Sequence, residues 1–336
     1  MTRFARTARL LALVALVATT RVPEAGAQPY PERVDVQAFI AEMAQRNGFD
    51  PATLRLQFGK ARPSPAVLKA IAPPADPAVR SWRAYRGRFV EPRRIAGGLA
   101  FWDDHATTLA RAEAIYGVPA EVMVAIIGVE TFYGQHTGNF HAFNALTNLA
   151  FDYPPRADLF RGELEALLLL AREEQRDPWT YRGSYAGAIG LPQFLPSSQR
   201  RYAVDFDRDG RIDLSGSSVD AIGSVGRFLA EHGWLTGEEI ARTVRVGGDP
   251  AALVAEGIRP VRLPAEMAAF GVQTEGAPAR PAALIDLTSP DAPTEYRLGF
   301  NNFFVLTRYN RSSFYAAAVM DLAERLRAAR PETPAN

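Results

Sequence analysis

Residues 122–134 read VMVAIIGVETFYG, an uninterrupted apolar run followed by a glutamate, a threonine, two aromatic residues and a glycine. The preceding Gly117-Val118-Pro119 favours a helix start, with the proline near the first turn. Gly134 favours a helix stop. The stretch therefore predicts a buried helix that carries one carboxyl group at its C-terminal end.

That carboxyl belongs to Glu130, which shares helical spacing, and therefore an apolar face, with Met123 and Ile127. Poor solvation raises the pKa of a carboxyl, so that it stays protonated near neutral pH and can donate a proton. Most glutamates near helix ends stay at the surface and do no chemistry. Glu130 is thus a candidate general acid whose role depends on the rest of the chain.

Residues 1–27 have the pattern of an export signal. Three arginines precede the apolar stretch 10–18, and Ala25-Gly26-Ala27 fits a small-x-small cleavage site. The apolar stretch is too short for a permanent membrane anchor. Because the chain has no cysteine, it has neither an acceptor for an N-terminal lipid nor a disulfide framework. We expect a soluble periplasmic protein that begins at Gln28.

Charge and missing motifs exclude several function classes. The formal net charge is +1, and removal of residues 1–27 takes away four arginines and one glutamate, which leaves −2. A basic patch for nucleic acid is not indicated. The sequence contains no G-x-x-x-x-G-K-[ST], G-x-G-x-x-G, G-x-S-x-G or H-E-x-x-H. It therefore predicts neither an organic cofactor nor a nucleic-acid partner.

Hydrophobic periodicity predicts a mainly helical chain with a β-rich insert. Besides the Glu130 helix, helices are predicted at residues 33–48, about 92–116, 158–176, 219–232 and 301–330. A Pro-rich connection is predicted at 63–77. Short β-like segments separated by Gly and Pro turns are predicted at 243–246, 261–263, 283–287 and 295–298.

Residues 205–213 read DFDRDGRID and match the first nine positions of an EF-hand calcium loop. Gly216 stands at the twelfth position, where a bidentate glutamate is usual, and the nearest substitute lies four residues later. Crowded aspartates repel one another unless a cation neutralises them; the alternative is a polar turn. We expect a structural Ca²⁺ site in preference to Mg²⁺, which favours octahedral sites with retained waters. The candidate ligands are Asp205, Asp207, Asp209, the backbone carbonyl of Arg211, Asp213 and Asp220.

Several segments together resemble one family, the lytic murein transglycosylases of the B type (glycoside hydrolase family 103). In chain order they are IIGVET 126–131, FDYP 151–154, RGELE 161–165, GSYAGAIG 183–190, QFLPSS 193–198, YAVDF 202–206, DAIGSV 220–225 and RYN 308–310. Where the family often has a basic residue and a tryptophan after Glu-Thr, this chain has Phe132-Tyr133. The order and number of these segments make the resemblance specific.

The resemblance implies a mainly α (α+β) fold with a lysozyme-like catalytic core, a helical domain, an EF-hand-like loop and a small β-rich insert. The corresponding domains are 1–27, the signal peptide; 28–80, an N-terminal helical region; 81–240, the catalytic core with the EF-hand-like loop at 205–220; 241–300, the insert; and 301–336, a C-terminal helix that packs back on the helical domain.

The resemblance also implies cleavage of the β-1,4 bond between N-acetylmuramic acid and N-acetylglucosamine in peptidoglycan, with a 1,6-anhydromuramoyl end as product. Glu130 matches the family's catalytic acid and base. The implied partners are glycan strands and other cell-wall enzymes, with no nucleic acid and no membrane anchor. Residues that match the glycan cleft of the family are Tyr85, Ser184, Gln193, Tyr309, Asn310 and Tyr315.

Two other functions compete with this one. A muramidase-type hydrolase of the same glycan needs a second carboxylate that holds a water, and Asp152 is the first candidate. We interpret Asp152 instead as part of a turn and Glu163 as part of a helix surface. The other alternative is a catalytically silent, Ca²⁺-stabilised peptidoglycan-binding module.

Overall fold

A computed structural model describes residues 28–73 and 80–330, so the predicted signal peptide lies outside the described residues. The chain divides into two compact units, residues 1–59 and 60–336. In the described part of the first unit, α1 (Val34–Asn47) follows the prediction and ends where Gly48 takes a left-handed φ of 69°. Helix α2 (Pro51–Lys60) was not predicted, because its apolar residues are too few to set a clear period.

The described part of the second unit is mainly helical. Its helices are α3 (Pro65–Ile71), α4 (Trp82–Phe89), α5 (Pro92–Asp104), α6 (Ala106–Tyr116), α7 (Ala120–Thr131), α8 (Ala142–Asp152), α9 (Ala157–Glu173), α10 (Pro196–Tyr202), α11 (Ser218–Glu231), α12 (Ala251–Ala255), α13 (Pro264–Met267), α14 (Asn301–Tyr309) and α15 (Ser313–Ala329).

Two antiparallel sheets complete the described unit. Strand β1 (Phe140–His141) pairs with β2 (Arg182–Gly183). In the second sheet, β5 (Ala292–Gly299) lies between β3 (Ala241–Val244) and β4 (Ala283–Ser289). The predicted mainly α fold with a β-rich segment is therefore confirmed. The β-like segment at 261–263 forms only an isolated bridge between Arg262 and Ala282.

Helix α7 lies at the centre of the core. It is apolar on all sides, which is typical of a helix buried on every face. Helices α5, α6, α11 and α15 contact it. Every residue of α7 except Glu130 is buried. Burial of the whole helix therefore fixes the position from which the Glu130 side chain emerges.

Four predicted element boundaries differ from the structure. The predicted helix 92–116 is interrupted at His105, which separates α5 from α6. The predicted connection at 63–77 contains α3, whose first turn is capped by the Ser64 side chain. Helix α7 begins directly after Pro119, as predicted, but ends at Thr131, before the predicted stop at Gly134, because Phe132 takes a left-handed φ of 52°. The predicted C-terminal helix is two helices, and Ser312 caps the second by accepting the Tyr315 N–H at 3.3 Å.

Across the described ranges, no single helix is both long and apolar enough to cross a membrane. Helices α6 and α7 reach the required length and composition only as a pair, across a bend of 113°.

Candidate active site

The Glu130 carboxyl lies at the C-terminal end of the buried helix α7, where water reaches it poorly. Burial raises its pKa from 4.5 to about 7, and one hydrogen bond opposes this rise. That bond comes from the Tyr315 hydroxyl, which donates to Glu130 Oε1 at 2.7 Å. No charged side chain in the described ranges contributes to the shift. The site therefore has the chemistry of a single carboxyl that exchanges a proton near neutral pH.

Three of the predicted cleft tyrosines surround this carboxyl. The rings of Tyr309 and Tyr315 are nearly parallel, with centroids 6.2 Å apart. Burial raises the pKa of both hydroxyls, and the charge of Glu130 raises each further. Burial, followed by the same charge, raises the pKa of Tyr85 to about 12. All three tyrosines thus have neutral hydroxyls near Glu130; the rings of Tyr85 and Tyr309 are partly exposed, and that of Tyr315 is buried.

The break between α14 and α15 brings two of these tyrosines together. Tyr309 ends α14 and Tyr315 lies in the first turn of α15. The Tyr309 hydroxyl donates to the carbonyl of Pro192 at 2.5 Å, which places it against the loop that contains Gln193. Asn310 lies in the break itself and is exposed, and its side chain makes no hydrogen bond to the described part of the chain.

Ser184 and Gln193 lie in the loop between β2 and α10, and backbone groups fix both side chains. The Ser184 Oγ accepts the N–H groups of Ala186 and Ala188 at 3.3 and 3.2 Å, which leaves its O–H free to donate. The Gln193 Nε2 donates to the carbonyls of Thr137 and Gly190 at 3.0 and 2.9 Å. Because both partners are acceptors, the amide nitrogen must face them and the amide oxygen stays free to accept.

Thr131 ties this loop to the Glu130 helix. Its hydroxyl lies 2.9 Å from the carbonyl of Leu191 and accepts the N–H of Gly134 at 3.0 Å. The sequence reasoning did not single out Thr131 for this role. Its position directly after Glu130 was the only available signal.

The two residues after Thr131 adopt an unusual backbone. Phe132 and Tyr133 have φ values of 52° and 58°, a left-handed conformation that costs a non-glycine residue on the order of 1–2 kcal/mol. The Tyr133 ring lies between α5 and α7, where a Cβ at Gly98 or Gly128 would stand 2.4 or 2.6 Å from its hydroxyl. Glycine is therefore required at both positions for this close approach.

Arg94 holds the same turn from α5. Its guanidinium donates to the carbonyl of Gly128 and lies over the Phe132 ring, 4.6 Å from the centroid. Its own carbonyl accepts the Tyr133 hydroxyl at 2.8 Å. These contacts offset the strained backbone and orient the end of α7 that carries Glu130. The sequence reasoning missed Arg94, and no motif marks it.

Asp152 and Glu163 lie in other environments. Asp152 is the last residue of α8, so the prediction that it belongs to a turn was wrong. Glu163 is only 6% exposed, not on a helix surface as predicted. Its carboxylate accepts the Ser197 N–H at 3.0 Å and the Ser197 hydroxyl at 2.6 Å, which fixes the start of α10. Neither acid contributes to the pKa of Glu130.

The acidic loop brings together three of its predicted ligands. Carboxylate oxygens of Asp205, Asp207 and Asp209 all lie within 4.8 Å of one another. Gly210 has a φ of 92°, with no atom within 4 Å of a Cβ built there, so its conformation and not its size requires glycine. The Arg211 N–H donates to Asp209 Oδ1 at 2.8 Å. Three hard oxygen donors in this arrangement suit Ca²⁺.

Asp213 and Asp220, the other two predicted acidic ligands, lie outside this cluster. Asp213 Oδ1 accepts the N–H groups of Ser215 and Gly216 at 3.0 and 2.9 Å. The buried Asp220 accepts the N–H groups of Phe206 and Asp213 at 2.8 and 2.9 Å, and so connects the two ends of the loop. The loop folds around these two side chains, so that Asp213 Oδ1 and both oxygens of Asp220 accept backbone N–H groups.

Comparison with known proteins identifies the family. Residues 32–324 match the family model described as the Transglycosylase SLT domain. The membrane-bound lytic murein transglycosylase B of Escherichia coli K12 is 39% identical over 307 residues, which are 88% of this chain and 83% of that protein. The crystal structure of the soluble lytic transglycosylase SltB1 from Pseudomonas aeruginosa is 45% identical, with a TM-score of 0.82 over 88% of this chain and 99% of that one.

Two further solved structures contain ligands. The E. coli lytic transglycosylase Slt35 in complex with calcium is 37% identical, with a TM-score of 0.78 over 89% of this chain and 94% of that one. SltB3 from P. aeruginosa in complex with NAG-anhNAM-pentapeptide is 30% identical, with a TM-score of 0.73 over 87% and 79%. The family match covers most of the chain and agrees with its fold. The chain therefore belongs to the Transglycosylase SLT domain family and is a lytic murein transglycosylase.

Proposed function

We propose that Glu130 alone performs the acid and base steps that cleave the β-1,4 bond between N-acetylmuramic acid and N-acetylglucosamine. The observation that carries this proposal is the isolation of its carboxyl: burial raises its pKa to about 7, and among the described residues Tyr315 is its one side-chain hydrogen-bond partner. A second carboxylate within about 4–6 Å would act on this pKa as a like charge. No such contribution exists among the described residues.

The proposed reaction balances with one carboxyl group. Protonated Glu130 gives its proton to the glycosidic oxygen as the bond from that oxygen to C1 of the muramic acid breaks. The 2-acetamido oxygen of the same sugar stabilises C1. The Glu130 carboxylate then takes the proton of the 6-hydroxyl as O6 bonds to C1, which gives the 1,6-anhydro ring. Water is not consumed, so no second carboxylate is needed to hold one.

The surrounding residues suit the positioning of an acetamido sugar. The free Ser184 O–H is a donor for a carbonyl, and the free Gln193 amide oxygen is an acceptor for an N–H. Tyr85 and Tyr309 are partly exposed and offer ring faces for sugar packing, whereas the buried Tyr315 acts on Glu130 through its hydroxyl. Asn310 is exposed beside them and has both a donor and an acceptor to offer.

Mass spectrometry of the soluble products from purified peptidoglycan tests the proposal. We expect muropeptides with anhydromuramoyl ends, each lighter by one water than the corresponding hydrolysis product. Reducing-end muropeptides would overturn the mechanism and direct attention to Asp152. Binding to peptidoglycan without any product would favour the non-catalytic module.

We also propose that Asp205, Asp207 and Asp209 hold a structural Ca²⁺ ion, with the Arg211 carbonyl as a further ligand. The support is the convergence of three carboxylates and the calcium complex of the relative Slt35. The ion would neutralise the crowded carboxylates and fix the loop before α11. It would have no part in proton transfer.

For location and organisation, we propose export to the periplasm by residues 1–27 and a soluble mature chain. The pattern of those residues supports the export signal, although the E. coli relative is described as membrane-bound. We further propose a catalytic core at 81–240 that carries Glu130, a separate β-rich insert at 241–300 and glycan strands as the principal partner. The sheet of β3, β5 and β4 supports the insert.

A further inference from the structure

A pocket opens on the far side of Tyr309 from Tyr315 and Glu130. It has a volume of about 330 Å³ and is lined in part by two predicted cleft residues, Gln193 and Tyr309, of which Tyr309 lies close enough to Glu130 for that charge to act on its hydroxyl. The Tyr309 ring contacts Tyr315 on the side of Glu130 and packs edge to face against Phe228, another residue of the pocket wall. A bound strand that reaches Gln193 would therefore also reach this pocket.

Two arginines line the pocket, and one of them, Arg201, lies over the Tyr202 ring of the pocket wall, 5.2 Å from its centroid. Arg201, from α10, and Arg308, from α14, both line it and are exposed. Neither guanidinium forms a salt bridge within residues 28–73 and 80–330. The adjacent Arg200 differs, because it pairs with Glu173 through Nη2 and Oε1 at 2.7 Å. The two pocket arginines thus have unused hydrogen-bond donors and uncompensated charge.

The other charged groups near the pocket have roles or partners of their own, and the buried Glu163 carboxylate is hydrogen-bonded to Ser197 of the pocket wall. His232 lines the pocket, and its pKa is lowered chiefly by burial and further by Arg308 and Arg201. It is therefore neutral near pH 7 and adds no cation. The neighbouring Glu231 pairs with Arg227 at 2.6 Å. A bound anion would therefore supply the counter-charge that Arg201 and Arg308 lack.

We propose that this pocket binds a carboxylate of the substrate strand, with Arg201 and Arg308 as its ligands. The inference rests on the proposed function, since it assumes that a peptidoglycan strand lies across Gln193 and Tyr309. Planar guanidinium groups bind carboxylates with paired hydrogen bonds, which gives direction as well as charge. Two sources of the group exist on such a strand: the lactyl carboxylate of a muramic acid without a peptide, and the carboxylates of a stem peptide.

The test compares Arg201→Gln, Arg308→Gln, the double variant and the control Arg200→Gln, which removes the same charge from α10 outside the pocket. Each is assayed on intact sacculi, on sacculi whose carboxyls are converted to neutral amides, and on strands stripped of peptides. On intact sacculi we expect the double variant to raise KM about tenfold with kcat within about twofold. Arg200→Gln should match the wild type, and all proteins should have equal KM on amidated sacculi.

The stripped strands identify the source of the carboxylate. An effect that persists on them assigns the lactyl carboxylate, and an effect that disappears assigns the stem peptide. A KM that is unchanged on both intact sacculi and stripped strands, or an equal loss on amidated sacculi, would overturn the carboxylate site. Co-sedimentation with the same sacculi repeats the comparison without turnover. Reducing-end products from the wild type would refute the Glu130 mechanism alone and leave the comparison of arginine variants valid.

Discussion

Glu130 and the aspartates of the 205–213 loop are acidic groups in opposite surroundings. Glu130 is one carboxyl at the end of a buried helix, with a neutral hydroxyl as its partner. Asp205, Asp207 and Asp209 are three carboxylates close together, the last two of them exposed to water. Backbone N–H groups donate to the aspartates, as Gly210 does to Asp205 Oδ2 at 2.9 Å.

The difference shows that the surroundings of a carboxyl group decide whether it is suited to proton transfer or to cation binding. Desolvation without compensating charge favours the protonated form, which can donate a proton. Exposure and N–H donors favour the ionised form, which can bind a cation. The fold achieves the first by burying α7 on every side and the second by turning a short loop around its own carboxylates.

The largest expected effect comes from Glu130→Gln. The amide keeps the shape of the side chain and cannot transfer a proton, so we expect the release of anhydromuropeptides to fall by about 10³-fold or more. Product release from sacculi measures the loss. The control is Glu121→Gln, which changes the other end of the same helix, about 13 Å along its axis. Glu121 pairs with Arg327 and should be dispensable for turnover; equal losses in both variants would make the defect structural.

The same variant should increase stability at alkaline pH. Because the folded pKa of Glu130 is about 7 and the unfolded value about 4.5, the unfolded state binds fewer protons between these values. The free energy of unfolding of the wild type should therefore fall as pH rises from about 4.5 to 7. Glu130 should account for about 2–3 kcal/mol of this fall, a value reduced because its side chain is partly exposed to solvent. Glu130→Gln should not show this loss. Urea unfolding at pH 4 and pH 8 should give equal free energies at pH 4 and a more stable variant at pH 8. A constant difference at both pH values would contradict the raised pKa.

The sequence predicted one half of the active site and not the other. The apolar run before Glu130 and the aspartate spacing at 205–213 are local patterns, so both were readable from the chain. The partner of Glu130 is not local, because Tyr315 lies 185 residues away. The family resemblance named Tyr315 as a cleft residue, but only the break between α14 and α15 places its hydroxyl on the carboxyl.

Another error also came from a tertiary contact. Glu163 looked like a surface residue of a helix, yet it fixes the start of α10 through Ser197. Asp220 lies outside the cluster of three aspartates, and both of its oxygens accept backbone N–H groups of the loop, so its role as a metal ligand stays a prediction. For Glu163 the residue type was compatible with two roles, and the packing of α10 against α9 decided between them.

Calcium should stabilise the loop without changing the acid. Neutralising three carboxylates that converge within 4.8 Å should raise the free energy of unfolding by about 2 kcal/mol and Tm by about 2–4 °C at saturating Ca²⁺, and EDTA should reverse this change. Differential scanning fluorimetry measures it. The double variant Asp205→Asn, Asp209→Asn should lose the response. Asp158→Asn is the control, since that side chain is 98% exposed on α9. A protein whose Tm ignores both Ca²⁺ and EDTA would have no metal site here.

The smallest expected effect distinguishes the two stacked tyrosines. The Tyr315 hydroxyl stabilises ionised Glu130, so Tyr315→Phe should raise the pKa of Glu130 above its value of about 7 and reduce the rate about tenfold. Since the acid must start protonated, the alkaline limb of kcat/KM against pH should move to higher pH. Tyr309→Phe removes a hydroxyl that donates to Pro192 instead, so its limb should stay in place even if turnover falls. A limb that moves to lower pH in Tyr315→Phe, or equally in both variants, would show that the hydrogen bond does not set the pKa. The comparison therefore separates two roles that neighbouring tyrosines could share: Tyr315 sets the pKa of Glu130, and Tyr309 positions the sugar.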